Sequence, residues 1–267
     1  MPELPDVEGF RRVAARAAGG RVRRVEVLDA GVLNGVTADR FRRGVRGRVL
    51  GTPRRHGKWL AVPLRTDGRR HRADEPVVAF HFGMTGGLQW CAGGEPRHRF
   101  DRVVLATDRG ELRFRDMRKL QGIRLLSGDD ELDALFAELG PDAAGVARPE
   151  LGELLHGSRA AVKSRLMDQT VVAGLGNLTV DETLWRARVH PSARSDELSD
   201  AAVGGVHQAM RTVLRQSSRA GYVPGRPSWL TGHRDDTRAA CPRCGTRLRR
   251  TRVAGRTSVW CPNCQQR

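Results

Sequence analysis

The chain has 267 residues, with Lys+Arg 47 against Asp+Glu 30 and a formal charge of +17. That excess is spread along the sequence, which describes a basic folded surface whose natural partner is a polyanion, nucleic acid first and an anionic membrane second. No apolar run reaches the ~18 residues of a membrane span and no basic-then-apolar leader opens the chain, so a cytoplasmic, DNA-accessible protein of one large domain or two to three modules is expected.

The first residues are Met1-Pro2-Glu3-Leu4-Pro5-Asp6. Met1 is normally removed before a small residue, which would leave Pro2 as a free secondary amine with the Glu3 carboxylate beside it. A secondary amine attacks an electrophilic carbon and yields a charged iminium. An α-amino group titrates near pH ~8, against ~10.4 for lysine, so much of it is neutral and nucleophilic at working pH. Taken alone, the pattern is more simply a common second residue in a fraying terminus.

Val7, Phe10, Val13 and Ala14 then recur at helical spacing, which predicts a helix over residues 4–17, with Pro5 in its first turn and Gly19-Gly20 at its end. From Arg21 to Leu126 short β-branched runs alternate with Gly, Pro and Asp-Gly breaks: Val22–Val27, Lys58–Leu64, Pro76–His81, Arg102–Ala106 and Leu112–Phe114. Asp67-Gly68 and Arg109-Gly110 read as hairpin turns, and Leu33 to Phe41 as a helical connection. A β-sandwich or barrel follows. From Asp130 the periodicity is helical. Leu132, Leu135, Phe136 and Leu139 share one face, and further helices are expected over Leu151–Leu155, Ala160–Gln169, Val180–Arg188 and Leu198–Gln216. Residues 219–240 are rich in Gly, Pro and Arg and read as a linker or mobile loop.

Four of the five cysteines lie in the last 27 residues, as Cys241-x2-Cys244 and Cys261-x2-Cys264. Two such knuckles can set four thiolates tetrahedrally around one Zn2+, and four soft ligands leave no open position, so the ion would be structural. A disulfide pair is the weaker alternative in this context. Arg247, Arg249, Arg250, Arg252 and Arg256 between the knuckles suit a phosphate backbone. Upstream, Gly174-Leu175-Gly176-Asn177 places two glycines before a helix start, either as a phosphate-binding turn or as an ordinary helix–helix corner. Only Lys58, Lys119 and Lys163 carry ammonium groups in this arginine-rich chain, which raises the weight of each.

In order, the chain contains Met-Pro-Glu-Leu-Pro, Gly57-Lys58, His81-Phe82-Gly83-Met84-Thr85-Gly86, Asp116-Met117-Arg118-Lys119-Leu120, Leu139-Gly140-Pro141, Met167-Asp168-Gln169 with the glycine turn, and the four-cysteine finger. Along essentially its whole length it resembles the formamidopyrimidine-DNA glycosylase/endonuclease VIII family, closer to the formamidopyrimidine branch. The resemblance implies an α+β multidomain protein. Residues 1–128 would form a catalytic N-terminal helix and β-sandwich, 129–225 a helix–two-turn–helix DNA-binding domain, and 226–267 a linker and four-cysteine zinc-finger β-hairpin, with DNA in the cleft between the halves. It implies Pro2 as nucleophile, Glu3 as its acid/base partner and Lys58 as the β-sandwich lysine beside the lesion phosphate. Met84, Arg118 and Leu120 would fill the gap left by an extruded nucleotide. Without the motif, Met84 and Leu120 read as core. Lys163, Asn177 and Arg256 match phosphate-binding positions.

The chain also departs from the family's pattern. Asp6 stands for a usual Glu at the lesion pocket, Gln121 for a glycine, and Leu178-Thr179-Val180 for a more familiar Ile-Tyr-Ala, while 219–240 departs where the formamidopyrimidine branch caps an oxidised purine. The implied activity is a monomeric base-excision-repair glycosylase with AP-lyase activity on double-stranded DNA carrying damaged bases or abasic sites, using one structural Zn2+ and no catalytic metal. The alternatives are a non-catalytic or AP-lyase-only binder of damaged or structured DNA and, more weakly, a zinc-ribbon RNA-binding protein.

Overall fold

The computed structural model describes residues 1–66 and 70–266. The chain divides into two compact units, Met1–Pro2 with Asp6–Glu138, and Glu3–Pro5 with Leu139–Arg267.

The first unit is built on helix α1 (Leu4–Ala15), β1 (Val22–Val27), α2 (Ala38–Val45), β2 (Val49–Leu50), β3 (Arg54–His56), β4 (Trp59–Arg65), β5 (Val77–His81), β6 (Gly87–Cys91), β7 (Asp101–Thr107), β8 (Gly110–Arg115), β9 (Ile123–Leu126) and α3 (Asp129–Ala137). One antiparallel sheet runs β1-β7-β8-β6 and the other β2-β4-β5-β9, with β3 also on β4. Val7 and Ala14 of α1, Phe41 of α2 and alternate residues of both sheets share one apolar core. The sandwich expectation holds. Pro63 interrupts β4 without breaking the sheet, because β4 changes partner there, pairing β3 up to Ala61 and β2 from Leu64 onward.

The β7–β8 hairpin closes with Thr107 opposite Gly110, so its two loop residues are Asp108-Arg109, one position earlier than the sequence suggests. Asp67-Gly68 lies outside the described residues. The expected connection at Leu33–Phe41 is a 3-10 turn, Ala30–Val32, followed by α2, which Thr37 caps by accepting the Arg40 N–H.

The second unit holds α4 (Arg148–His156), α5 (Val162–Met167), α6 (Asn177–Ala187), α7 (Asp200–Ala220) and the antiparallel hairpin β10 (Arg249–Val253) and β11 (Arg256–Trp260). Leu151, Leu166, Leu175, Leu184, Val206 and Met210 lie in one core. Leu230, Ala239, Leu248 and Val259 form a smaller one around Trp185. Helix α7 ends at Gly221, whose left-handed φ of 80° lets its N–H turn back to the Ser217 carbonyl.

The reading of 219–240 as a linker or mobile loop is corrected. Trp229 and Leu230 are buried, and the Arg186 and Arg226 guanidiniums lie 4.6 and 5.4 Å from the Trp229 ring. The Thr231 N–H donates to Glu182 at 3.1 Å and the Thr231 hydroxyl to the Pro224 carbonyl at 2.8 Å. A large aromatic with cations on it supplies the anchoring that the Gly/Pro/Arg composition does not suggest.

Candidate functional site

The glycine turn of the second unit is where the amino terminus is held. Gln169 braces the turn, donating to the Met167 and Leu175 carbonyls at 2.8 and 3.0 Å and accepting the Gly174 N–H at 3.0 Å. The Leu4 N–H donates to the Gly174 carbonyl at 2.9 Å. Glu3 is 2% exposed, and its carboxylate accepts the Leu178 N–H (2.8 Å), the Thr179 N–H (3.0 Å) and the Thr179 hydroxyl (2.6 Å). These donors open α6, so the positive end of that helix faces the carboxylate. The glycines are required by this approach. A Cβ on Gly176 would fall 2.3 Å from Glu3 Cδ, and one on Gly174, whose φ is 111°, 2.6 Å from Leu4 Cδ1. Of the two readings of this turn the helix–helix corner describes its backbone, and the anion held at this helix start is the chain's own Glu3. Gly176 in extended conformation is the N-cap, so Asn177 is the first helical residue and not the cap. Asn177 is half-buried and its Oδ1 has no protein partner.

Lys163 also differs from expectation. It is fully buried, and its ammonium donates to Asp181 Oδ1 at 2.7 Å and to the Thr257 carbonyl at 3.0 Å. Burial pulls the ammonium below the ordinary lysine range, and the Asp181 charge opposes the shift. Asp181 also takes Arg234 and the Val259 N–H, and Arg234 donates to the same Thr257 carbonyl at 2.8 Å. Two cations and one carboxylate thus tie α5, α6 and Arg234 to strand β11. The placement does not present the Lys163 charge to a phosphate. Sequence spacing cannot reveal this, since the partner lies 18 residues away.

The Sγ atoms of Cys241, Cys244, Cys261 and Cys264 lie within 4.8 Å of one another. Separations of 4.0 Å (Cys241–Cys264), 3.5 Å (Cys244–Cys261) and 3.5 Å (Cys244–Cys264) bracket the about 3.8 Å edge of a tetrahedron with Zn–S bonds of ~2.3 Å. The donor set fits one structural zinc. Burial pushes the Cys261 thiol up to about 12, so a cation's charge is needed to hold it as thiolate, whereas the Thr246 hydroxyl and N–H bring exposed Cys244 down to about 5. Trp185, which sequence reading misses, donates its indole N–H to Cys241 Sγ at 3.3 Å and carries Arg243 over its ring at 4.3 Å. Gln265 joins the finger to the helices, accepting the Cys261 N–H and donating to the Val189 carbonyl, both at 2.9 Å. At the hairpin tip Ala254 and Gly255 have φ of 46° and 72°, and Arg256 follows, exposed.

In the first unit Lys58 is half-buried in the two-residue turn between β3 and β4, next to Gly57 at φ 53°. Its charge is felt at His81. Burial first, then Lys58 and Arg124, lower His81 to about 4, leaving the ring neutral. The ring accepts the Gly83 N–H on Nδ1 at 3.1 Å, which puts the proton of the neutral ring on Nε2. His81 is a candidate that sequence reading quotes only as part of a motif.

Met84, Arg118 and Leu120 are exposed, at 36% for Met84 and 53% for Leu120, so neither apolar residue is core. An Arg118 Nη1–Met84 Sδ distance of 3.2 Å brings two of the three together. The loop is fixed from below: Asp116 accepts the Thr85 hydroxyl at 2.5 Å and the Arg118 N–H at 3.0 Å. Lys119 adopts a left-handed φ of 53° and pairs with Asp29 at 2.9 Å, turning the chain between Arg118 and Leu120. Such strain costs about 1–2 kcal/mol and is characteristic of functional loops. Gln121 is exposed and packs on Gly83 of the Met84 turn. Asp6 is half-buried in the first turn of α1, and Pro2 is half-buried.

Three family models cover the chain in order: the Formamidopyrimidine-DNA glycosylase N-terminal domain over residues 1–123, the Formamidopyrimidine-DNA glycosylase H2TH domain over 139–223, and the Zinc finger found in FPG and IleRS over 240–267. The chain is 36% identical to the formamidopyrimidine-DNA glycosylase of Symbiobacterium thermophilum, across 99% of this chain and 89% of that protein. Among solved structures, the Lactococcus lactis FPG (MutM) complex with Fapy-dG-containing DNA matches with a TM-score of 0.86 at 26% identity, over 99% of this chain and 100% of that one. The L. lactis enzyme bound non-covalently to AP-site DNA gives a TM-score of 0.84 at 26% identity, over the same shares.

Proposed function

The chain belongs to the formamidopyrimidine-DNA glycosylase family, and from that premise we propose that it excises damaged bases from double-stranded DNA and cuts the strand at the resulting abasic site. The observation that carries the mechanism is the clamp on the amino terminus. A segment that would ordinarily fray is fixed by three donors on Glu3 and one bond from Leu4, and Pro2 is peptide-bonded to Glu3. With Met1 removed, the Pro2 nitrogen attacks C1′ of the extruded nucleotide, the C1′–base bond breaks, and the base leaves with a proton. The attached amine gives up its proton and the C1′–O4′ bond opens, O4′ taking up a proton, which leaves an iminium at C1′; the iminium acidifies the C2′ hydrogen, whose loss expels the 3′ phosphate. Glu3 moves protons in these steps, and Lys58 holds the phosphate beside the lesion.

Met84 and Leu120 stand in solvent, which supports their use as a wedge into the vacated stack, with Arg118 donating to the orphaned base. Asn177 and Arg256 are the proposed phosphate contacts, and Asp6 borders the lesion pocket. The four cysteines hold zinc to shape the finger and supply no reaction step. No helix of the described residues is long and apolar enough to cross a membrane. We place the protein in the bacterial cytoplasm as a monomer on chromosomal DNA.

Borohydride trapping on an abasic duplex tests the mechanism. Wild type should yield a covalent adduct and Pro2→Gly should not; an undiminished adduct with the variant refutes Pro2 as nucleophile. An incision panel of 8-oxoguanine, formamidopyrimidine, oxidised pyrimidine and abasic duplexes defines the lesion. Binding without incision on all of them would return the chain to the non-catalytic alternative.

A further inference from the structure

We infer that Thr179 is a positioning residue for Glu3, and that its hydroxyl sets the orientation of that carboxylate. The inference rests on the reading of Glu3 as the acid/base group. Thr179 is fully buried in the first turn of α6, where a side chain ordinarily serves packing. Here its hydroxyl is committed at both ends. It accepts the Gly176 N–H at 2.9 Å, and it donates to Glu3 Oε2 at 2.6 Å. The competing acceptor, the Gly176 carbonyl, is farther at 3.2 Å. A hydroxyl has one hydrogen, so the Gly176 contact fixes the rotor and directs that hydrogen at Glu3.

The same residue gives its backbone N–H to the same oxygen at 3.0 Å, so Thr179 places two donors on Oε2, while Leu178 places one on Oε1. A backbone donor survives any substitution. The hydroxyl is the contribution that depends on residue identity. It is also out of reach for a longer side chain: a hydroxyl one bond beyond Cβ can bend back to a carboxylate lying over its own helix turn, whereas a tyrosine hydroxyl at this position would be carried past it. The Leu178-Thr179-Val180 departure therefore places a new side-chain donor on Glu3. A charge-assisted donor on a carboxylate oxygen narrows the positions that the carboxylate can take.

The experiment compares Thr179→Val, Thr179→Ser and Glu3→Gln by single-turnover excision of a formamidopyrimidine duplex, with abasic-duplex affinity measured in parallel. Thr179→Val should slow excision roughly tenfold, the equivalent of one hydrogen bond to a charged group. Duplex affinity should stay within about twofold, because the residue is buried. Thr179→Ser should restore the rate. If Glu3→Gln keeps wild-type excision, the reading of Glu3 is wrong. If Glu3→Gln is inactive while Thr179→Val retains the wild-type rate, Glu3 stands and the inference is overturned. Equal losses in Thr179→Val and Thr179→Ser would mean that the methyl, not the hydroxyl, matters, and would also overturn it. Should Thr179→Val fail to fold, Thr179→Ala carries the same expectations.

Discussion

Removing the charge of Asp181 should be more damaging than removing either of the cations that it pairs. Asp181 is 2% exposed and receives Lys163 on Oδ1 at 2.7 Å, with Arg234 and the Val259 N–H on Oδ2. Lys163→Met leaves Asp181 paired one-to-one with Arg234, and the Thr257 carbonyl keeps its Arg234 bond at 2.8 Å. The cost is one buried hydrogen-bonded contact, about 1–3 kcal/mol. Asp181→Asn leaves two buried cations facing an amide. One uncompensated buried charge costs about 3–5 kcal/mol. The gap between the variants should thus be about 2 kcal/mol in chemical unfolding, with β11 released first and zinc lost at lower denaturant than in wild type. A Lys163→Met variant as unstable as Asp181→Asn would refute the reasoning. A DNA-affinity salt slope that falls by about one in Lys163→Met would refute the placement, since a buried lysine displaces no counterion.

Arg256→Ala should weaken duplex binding and lower its salt slope by about one phosphate; an unchanged slope counts against the contact. Ala254 at φ 46° sits in a turn that favours Asn or Gly, so Ala254→Gly should raise finger stability by about 1 kcal/mol, read as a higher zinc-release midpoint; a lower midpoint would contradict the turn geometry. His81 binds its proton at about 4 when folded and near 6.5 when unfolded. The unfolded chain therefore gains the proton first, and stability falls as pH drops from about 6.5 to about 4, by up to about 3 kcal/mol. His81→Asn should flatten stability in that window. Glu75, held down to about 2, adds to the fall that follows below about 4.5 together with other lowered carboxylates such as Glu111 and Glu131, so an unaltered profile in His81→Asn would show that the upper window belongs to other groups. Chelation should strip DNA affinity while the sandwich near-ultraviolet signal persists; simultaneous loss of both would contradict independent cores.

How much of this is legible in the sequence follows from the range of the forces involved. Val22–Val27 and the helices around Leu132, Leu184 and Met210 announce themselves because burial repeats with the local backbone period. Strands Val49–Leu50, Arg54–His56 and Ile123–Leu126 do not, because two to four residues are too few to show a period and their pairing is set by distant partners. The zinc ligands are readable because their spacing is itself the geometry. Met84 and Leu120 look like core by residue type, and motif context alone points to the surface where they lie. Lys163, Trp185 and Trp229 are misread or missed because each gains its meaning from a partner well removed along the chain: Asp181, Cys241 and Arg186.

The fate of the three lysines and of one helix start decides how this protein can meet a polyanion. Lys163 is buried, its charge felt by Glu3, Lys119 is bonded to Asp29, and the Lys58 charge reaches His81. The positive end of α6, which a glycine turn ordinarily offers to phosphate, is taken by Glu3. Charge neutralisation along DNA then falls to arginine, whose planar fork pairs a phosphate at two points and stays charged at any working pH. The helix terminus serves instead to hold the amino terminus in place. For the Pro2 amine proposed as nucleophile, the internal anion site supplies a rigid support through the single peptide bond between Glu3 and Pro2.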